Sequence, residues 1–307
     1  SHLVRVLQYL WSDVAFPDGA AARGLAKLPS DITDQLAELS TAGKREGGLW
    51  AAAGKLGAGH ASIQLDVLKI VFRSAGLPVQ FAPARLVIWL KQKGVYDAVR
   101  AGVEQRGGDF EDELQNMYVS QELAESIYDA NPGVAQSPLD ISELLVAQYP
   151  DRTEIDDDLM LQSLEDVLRL QSTTIGKLPL TLLVFDELQQ SIGEHPDRAL
   201  AIQEIVEACS SHFGSHILFV GTGQAALEAT PQLSKLQDRF TVRVSLEDKD
   251  VEQVVRQVVL RKQPDKVGIV QNALDVASSE ISRHLAGTKI GPSLADNKDL
   301  VPDYPLL

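Results

Sequence analysis

The feature that most constrains this chain is a pair of near-continuous apolar runs, Leu180–Phe185 and Ile217–Val220, separated by one helical stretch, Pro196–Phe213. A strand with one wet face alternates apolar and polar residues. A strand that is apolar at every position is covered on both faces. Two such runs flanking a helix are the pattern of a parallel α/β sheet with helices on both sides. Leu49–Leu56 is a third short apolar run, also followed by a helix, Ser62–Ser74, which Gly76-Leu77-Pro78 closes.

Two long helical stretches frame this pattern. Ser1–Trp11 carries Leu3, Val6, Leu7 and Leu10 at helical spacing, and a helical stretch at Ile32–Leu39 follows. From Pro83 to Leu170 the spacing is helical almost throughout. The expected helices are Ala84–Lys93, Val95–Gln105, Asp109–Met117, Glu122–Ala130, Ser142–Gln148 and Leu159–Leu170. Breaks fall at Gly94, Gly107-Gly108, Asn131-Pro132-Gly133 and Pro150. Beyond the second apolar run, Pro231–Gln237, Val251–Arg261 and Val267–His284 read as helices and Phe240–Leu246 as an alternating strand. The tail from Gly287 onward reads as irregular.

Charge divides the chain in the same way. The formal net charge is −15. Between Glu104 and Asp166 there are 17 acidic residues against two basic ones, so this segment carries the entire excess. The remainder holds 26 of each sign. The acidity therefore belongs to the helical block. It argues against coating of duplex DNA by that block and leaves the near-neutral remainder open to nucleic acid. A run of solvated acids is ordinarily an inert face, and it also suits a basic partner.

At 44% hydrophobic and 23% charged, the composition is that of a globular chain, and 307 residues can bury roughly 75% of their unfolded surface. The single cysteine, Cys209, excludes an intrachain disulfide and fits a reducing, cytoplasmic compartment. No apolar run approaches the ~18 residues of a membrane span, and neither a signal peptide nor a membrane partner is expected.

Chemistry concentrates at the ends of the apolar runs. Leu180–Phe185 terminates in Asp186-Glu187. In a phosphate-hydrolysing sheet, such a strand delivers two carboxylates to its C-terminal edge. There the first holds a magnesium shell and the second polarises the attacking water. An edge that simply meets water gives the same two letters. The next run ends in Gly221-Thr222-Gly223-Gln224. Thr222, with Gln224 as second choice, is the candidate contact to a γ-phosphate or lytic water. A tight turn capping the next helix explains the same residues. Arg239, between Asp238 and Phe240, is the candidate arginine finger, a role that requires an oligomer. It is equally a surface arginine paired with Asp238.

No G-x-x-x-x-G-K-[ST] string occurs in the chain. Gly54-Lys55-Leu56-Gly57-Ala58-Gly59-His60 is the nearest approach, but its lysine is misplaced and no Lys-Ser/Thr closes it, so it reads as a turn. The opening Ser1-His2-Leu3-Val4-Arg5-Val6-Leu7 has the look of a helix that follows a P-loop's final serine. On that reading Ser1 is a magnesium-ligating hydroxyl and the glycines and lysine lie upstream. Ser-His is also a common tag remnant. The six histidines lack metal-site spacing, and no nucleophile-elbow string is present.

Taken together, Leu182–Ser191, Arg198–Phe213, Gly221–Gln224 and Leu236–Val244 resemble the large P-loop ATPases of BREX-type phage defence, the BrxC proteins and their PglY relatives. Gly76–Pro78, Ala84–Gly94 and Glu113–Ser120 are similar too. The resemblance implies an AAA+-like, parallel-sheet P-loop NTPase core using ATP and magnesium. Asp186 and Ser1 would hold the metal, Glu187 would activate water, Thr222 would act as sensor and Arg239 as finger. It divides the chain into a first part of the core (1–82), an acidic helical insertion (83–178), the remainder of the core (179–247) and a helical lid with irregular tail (248–307). It implies other defence proteins as partners, a homo-oligomer, and DNA contact through a longer protein. Without a P-loop, residues 1–307 are expected to hydrolyse ATP negligibly on their own. Two alternatives stay open: a non-catalytic scaffold working through the acidic helices, and an origin-recognition-like AAA+ ATPase in replication.

Overall fold

The computed structural model describes residues 2–25, 28–57, 62–151, 153–192, 196–223, 240–242, 244, 260–285, 301 and 304. The chain forms two compact units, residues 1–240 and 241–307.

The first unit is built on a three-stranded parallel sheet, in the order β1 (Leu49–Lys55), β2 (Leu180–Asp186), β3 (Ile217–Gly221). Register is continuous: Leu49 faces Leu180, Lys55 faces Asp186, and Phe185 faces Gly221. β2 lies between the other two and is covered on both sides, which is why every residue from Leu182 to Phe185 is apolar. Successive side chains point to opposite faces. Leu182 and Val184 join Val4, Leu7 and Trp11 of helix α1 (His2–Ser12) on one face, with Ala51, Ala53 and Val220. Leu183 and Phe185 join the larger core on the other face, with Ala52. Leu183, Val184 and Phe185, which are fully buried, each contribute roughly 1.5–3 kcal/mol.

On the larger-core side, α4 (Ile63–Ser74) packs on β1 and α12 (Pro196–Phe213) on β3. α5 (Phe81–Gln92) and α10 (Asp157–Gln171) lie against α4, and α10 also meets α12. The four helices α6 (Tyr96–Gln105), α7 (Phe110–Gln115), α8 (Gln121–Ala130) and α9 (Pro138–Gln148) pack on one another, with α6 against α5. One continuous core runs from the sheet through this helical layer.

The helices begin where the sequence supplies side-chain acceptors. Asp109 accepts from the Glu111 and Asp112 amides, Ser120 from Leu123, and Asp156 from Leu159. Gly94 and Gly107, at φ of 70° and 86°, end α5 and α6 in a conformation that disfavours other residues.

Several boundaries differ from the sequence expectation. α9 begins at Pro138, four residues before Ser142, because Ser137 caps it and Pro138 suits a first helical turn. α3 runs Ser30–Arg45, beginning shortly before the expected Ile32 and running well past the expected end at Leu39. α11 (Leu188–Ile192) directly follows β2 and has no counterpart in the sequence reading. Phe240, Thr241, Val242 and Val244, the described residues of the expected strand Phe240–Leu246, lie in no strand. Val242 and Val244 are exposed, so no neighbour covers them as strand burial would require. The expected helices Pro231–Gln237 and Val251–Arg261 lie outside the described residues, apart from Leu260 and Arg261, which are not helical.

In the second unit, α13 (Val267–Leu285) matches the expected Val267–His284 to one residue, and Lys262 Nζ donates to the Tyr304 carbonyl at 2.5 Å.

Candidate functional site

All three strands run in the same direction, so their C-terminal ends share one edge of the sheet, where ligands bind in open α/β folds. The side chains gathered there are Lys55 at the end of β1, Asp186 at the end of β2 with Glu187 just beyond, and Thr222 just past β3.

Thr222 joins the two carboxylate-bearing residues. Its hydroxyl donates to Asp186 Oδ1 at 2.5 Å and accepts from the Glu187 amide at 3.2 Å. A hydroxyl can do both at once. The Thr222 backbone adds two more links, its N–H to the Phe185 carbonyl at 2.9 Å and its carbonyl from the Leu188 N–H at 3.0 Å. This lattice holds Glu187 at φ of 55°, a left-handed conformation costing a non-glycine residue on the order of 1 kcal/mol or more. The resulting sharp turn starts α11 immediately after the strand. Gly221 permits the close approach, since a Cβ there would fall 2.5 Å from Leu188 Cδ1.

Lys55 forms an ion pair with Glu187 Oε2. The hydrogen bond to Glu187 raises the Lys55 pKa above its ordinary value, and the nearby charges of Glu187 and Asp186 act in the same direction. Asp186 is buried and Glu187 partly exposed. Among the described residues, the edge therefore brings together the carboxylates of Asp186 and Glu187, the Thr222 hydroxyl and the Lys55 ammonium.

A second group fixes the chain as it leaves β1. The Gly57 amide donates to Asp66 Oδ2 at 3.1 Å. Its carbonyl accepts from Arg198 Nη2 at 2.5 Å and from Ser191 Oγ at 3.2 Å. Asp66 is buried and also takes Lys69 at 3.2 Å. Both polar atoms of Gly57 are thus committed, and β1's exit is tied to α4, α11 and α12.

The structure brings together Asp186, Glu187 and Thr222, three of the residues singled out from sequence. Ser1, Gln224 and Arg239 lie outside the described residues. Lys55, which reads from sequence as a misplaced lysine in a turn, stands inside the site. Its signal is positional: β1 and β2 end in register, so the last residue of β1 lands beside Asp186.

The donor set suits one half of a magnesium–nucleotide site. Magnesium takes one or two carboxylates and otherwise keeps water and phosphate oxygens. Asp186 and Glu187 supply carboxylates of that kind, and no group of three or more His, Cys, Asp or Glu side chains able to enclose a metal occurs among the described residues. The G-x-x-x-x-G-K-[ST] string that usually grips phosphates does not occur in the sequence.

No family model matches the chain, and no solved structure matches it. Among the described residues, no helix is long and apolar enough to cross a membrane.

Proposed function

We propose that the chain is the ATP-binding and ATP-hydrolysing module of a large bacterial phage-defence ATPase of the BREX type, with an AAA+-like P-loop core. ATP turnover would drive conformational change or assembly of partner defence proteins in the cytoplasm. The observation that carries this reading is the Thr222 bridge, which binds the Asp186 carboxylate and the Glu187 amide and so fixes the turn bearing both acids at the C-terminal end of a doubly buried parallel strand. A strand that merely meets water has no need of a strained turn tied down from the neighbouring strand.

Magnesium-bound ATP supplies the phosphoryl group and neutralises its charge when bound. Asp186, buried and oriented by the Thr222 hydroxyl, would hold the metal shell. Glu187, released from Lys55, would orient a water and accept its proton. Thr222 keeps both in register and so links β3 to the reacting end of β2. Ser1, Gln224 and Arg239 keep their expected parts, as metal hydroxyl, second polar contact and finger in a homo-oligomer. DNA contact would be made by the full-length gene product.

The test is ATP hydrolysis by the full-length gene product, beside its Glu187→Gln version. The substitution should lower turnover by roughly 100-fold or more. Equal rates would overturn the assignment.

The Lys55–Glu187 pair also favours a second reading, a non-catalytic scaffold in which the ammonium has replaced the metal as neutraliser of the edge. Magnesium-dependent ATP binding by the full-length gene product, measured by calorimetry, separates the two.

A further inference from the structure

The geometry points to the outer face of α9 as a docking surface for a basic amphipathic helix of a partner protein. This inference is independent of the ATPase reading. α9, Pro138–Gln148, carries apolar side chains on its outward as well as its inward side, interspersed with Asp140, Ser142, Glu143 and Gln148. Ile141 and Leu145 are buried, where the helix packs on α8. Leu139 and Val146, seven residues apart and so on one stripe, are 77% and 53% exposed, and Leu144 is also exposed. Large apolar side chains left in water on the outward side of a helix are available to a second neighbour. The turn before α8 adds Val119, 82% exposed. Tyr118 Oη donates to the Tyr149 carbonyl at 2.5 Å, which holds that turn beside the C-terminal end of α9.

Charge specifies the occupant. Residues 107–151 contain ten acidic residues and no Lys, Arg or His. Arg106 reaches in from α6 to pair with Glu125 and Asp129, and Asp109 caps α7. Glu111, Asp112, Glu113, Glu122, Asp140, Glu143 and Asp151 form no ion pair with any described residue. Glu143 lies within the exposed apolar stripe of α9 and Asp140 in its first turn. An apolar stripe set in carboxylates is complementary to a helix with an apolar stripe flanked by Lys and Arg. The same field repels nucleic acid and anionic lipid. It also disfavours a second copy of this chain, which would bring the same acids to the contact.

The probe is a fluorescein-labelled basic amphipathic peptide of about 18 residues, long enough for stable helix on binding. It carries leucines at helical spacing between lysines and arginines. Two controls accompany it: the same residues scrambled to break the stripe, and a version with glutamates replacing the cations. Anisotropy with the full chain should show saturable binding that weakens as salt rises. The scrambled peptide should bind about tenfold or more weakly, and the acidic one should not bind. Leu139→Ser with Val146→Ser should weaken binding by about tenfold or more while leaving the circular dichroism and Tm unchanged, because both side chains already face water. Glu143→Lys should weaken it further and flatten the salt dependence. A benzophenone-bearing peptide should label α9.

Equal binding by the scrambled peptide, unchanged affinity in the α9 variants, or labelling confined to other elements would each overturn the inference. So would a dimer that the α9 substitutions dissolve, which would make a second copy the occupant. Binding of phosphatidylserine vesicles abolished by the same substitutions would make it a membrane surface.

Discussion

Lys55 and Glu187 close the C-terminal edge of the sheet with an ion pair between the last residue of β1 and the first residue past β2. Register sets Lys55 opposite Asp186, and the left-handed turn at Glu187 places the next carboxylate within reach of the same lysine. Lys55 is the more exposed partner, so its pairing is open to solvent and readily exchanged. If Glu187 is the water-orienting base, removing the lysine frees it. Lys55→Met should therefore raise basal ATP turnover in the full-length gene product, and adding Glu187→Gln should abolish the gain. Unchanged turnover in Lys55→Met would show that the pair does not restrain Glu187.

The same pair has a pH signature. Glu187 raises the pKa of Lys55 from 10.5, so the folded state binds the proton more tightly than the unfolded state does. Its contribution to stability is full below that value and is lost as pH rises through the raised folded value. Wild type and Lys55→Met should differ in urea midpoint by a constant amount from neutral to mildly alkaline pH. The difference should shrink only above about 10.5. A difference that vanishes already at pH 8 would contradict the assignment.

Thr222 should be a stability residue as well as a site residue. Thr222→Val removes the donor to Asp186 Oδ1 and the acceptor for the Glu187 amide, with little change of volume. Leaving those partners unsatisfied costs roughly 1–3 kcal/mol in denaturant unfolding. Thr222→Ser keeps the hydroxyl and should restore most of it. An equally large loss in Thr222→Ser would point to the methyl group instead.

These relationships show what is legible in the sequence. The three strands are readable because each is short and apolar and β2 is covered on both faces, a pattern no amphipathic helix shares. Asp186, Glu187 and Thr222 are readable because they follow directly on those runs. Lys55 is hidden by its setting between Gly54 and Leu56 in a glycine-rich stretch, where local pattern suggests a turn and only strand register reveals the neighbour. Asp66 and Arg198 are hidden for another reason: they meet at Gly57 from positions far apart in the chain. The start of α9 escapes a reading by apolar spacing because its signal is the cap Ser137-Pro138, which precedes that spacing.

Arg23 is a further long-range contact with no local signature. Its guanidinium donates to the Leu10 carbonyl at 2.6 Å, Trp11 at 2.8 Å and Leu36 at 2.8 Å, and to the Ser40 hydroxyl. It thereby satisfies carbonyls in the last turn of α1 and ties that helix to α3. Arg23→Lys keeps the charge but loses the planar fork. It should cost roughly 2 kcal/mol, and Arg23→Ala more, read as a shift in urea midpoint at unchanged m-value. A shift within experimental error would show that the fork is dispensable.

Cys209 reports on the core of α12. Burial pushes its thiol up to about 12, with Asp157 adding in the same direction. The thiolate is the reactive form, so the native protein should be nearly inert to a thiol reagent at pH 8. Inaccessibility and the raised pKa act together here, and unfolding removes both. Reaction in urea should be complete and stoichiometric, and the native-state rate should follow the opening of α12. A variant that loosens that helix, such as Ile205→Ala at a buried position, should therefore speed labelling in proportion to its destabilisation. Rapid labelling of the wild-type protein without denaturant would show that α12 does not keep Cys209 from solvent.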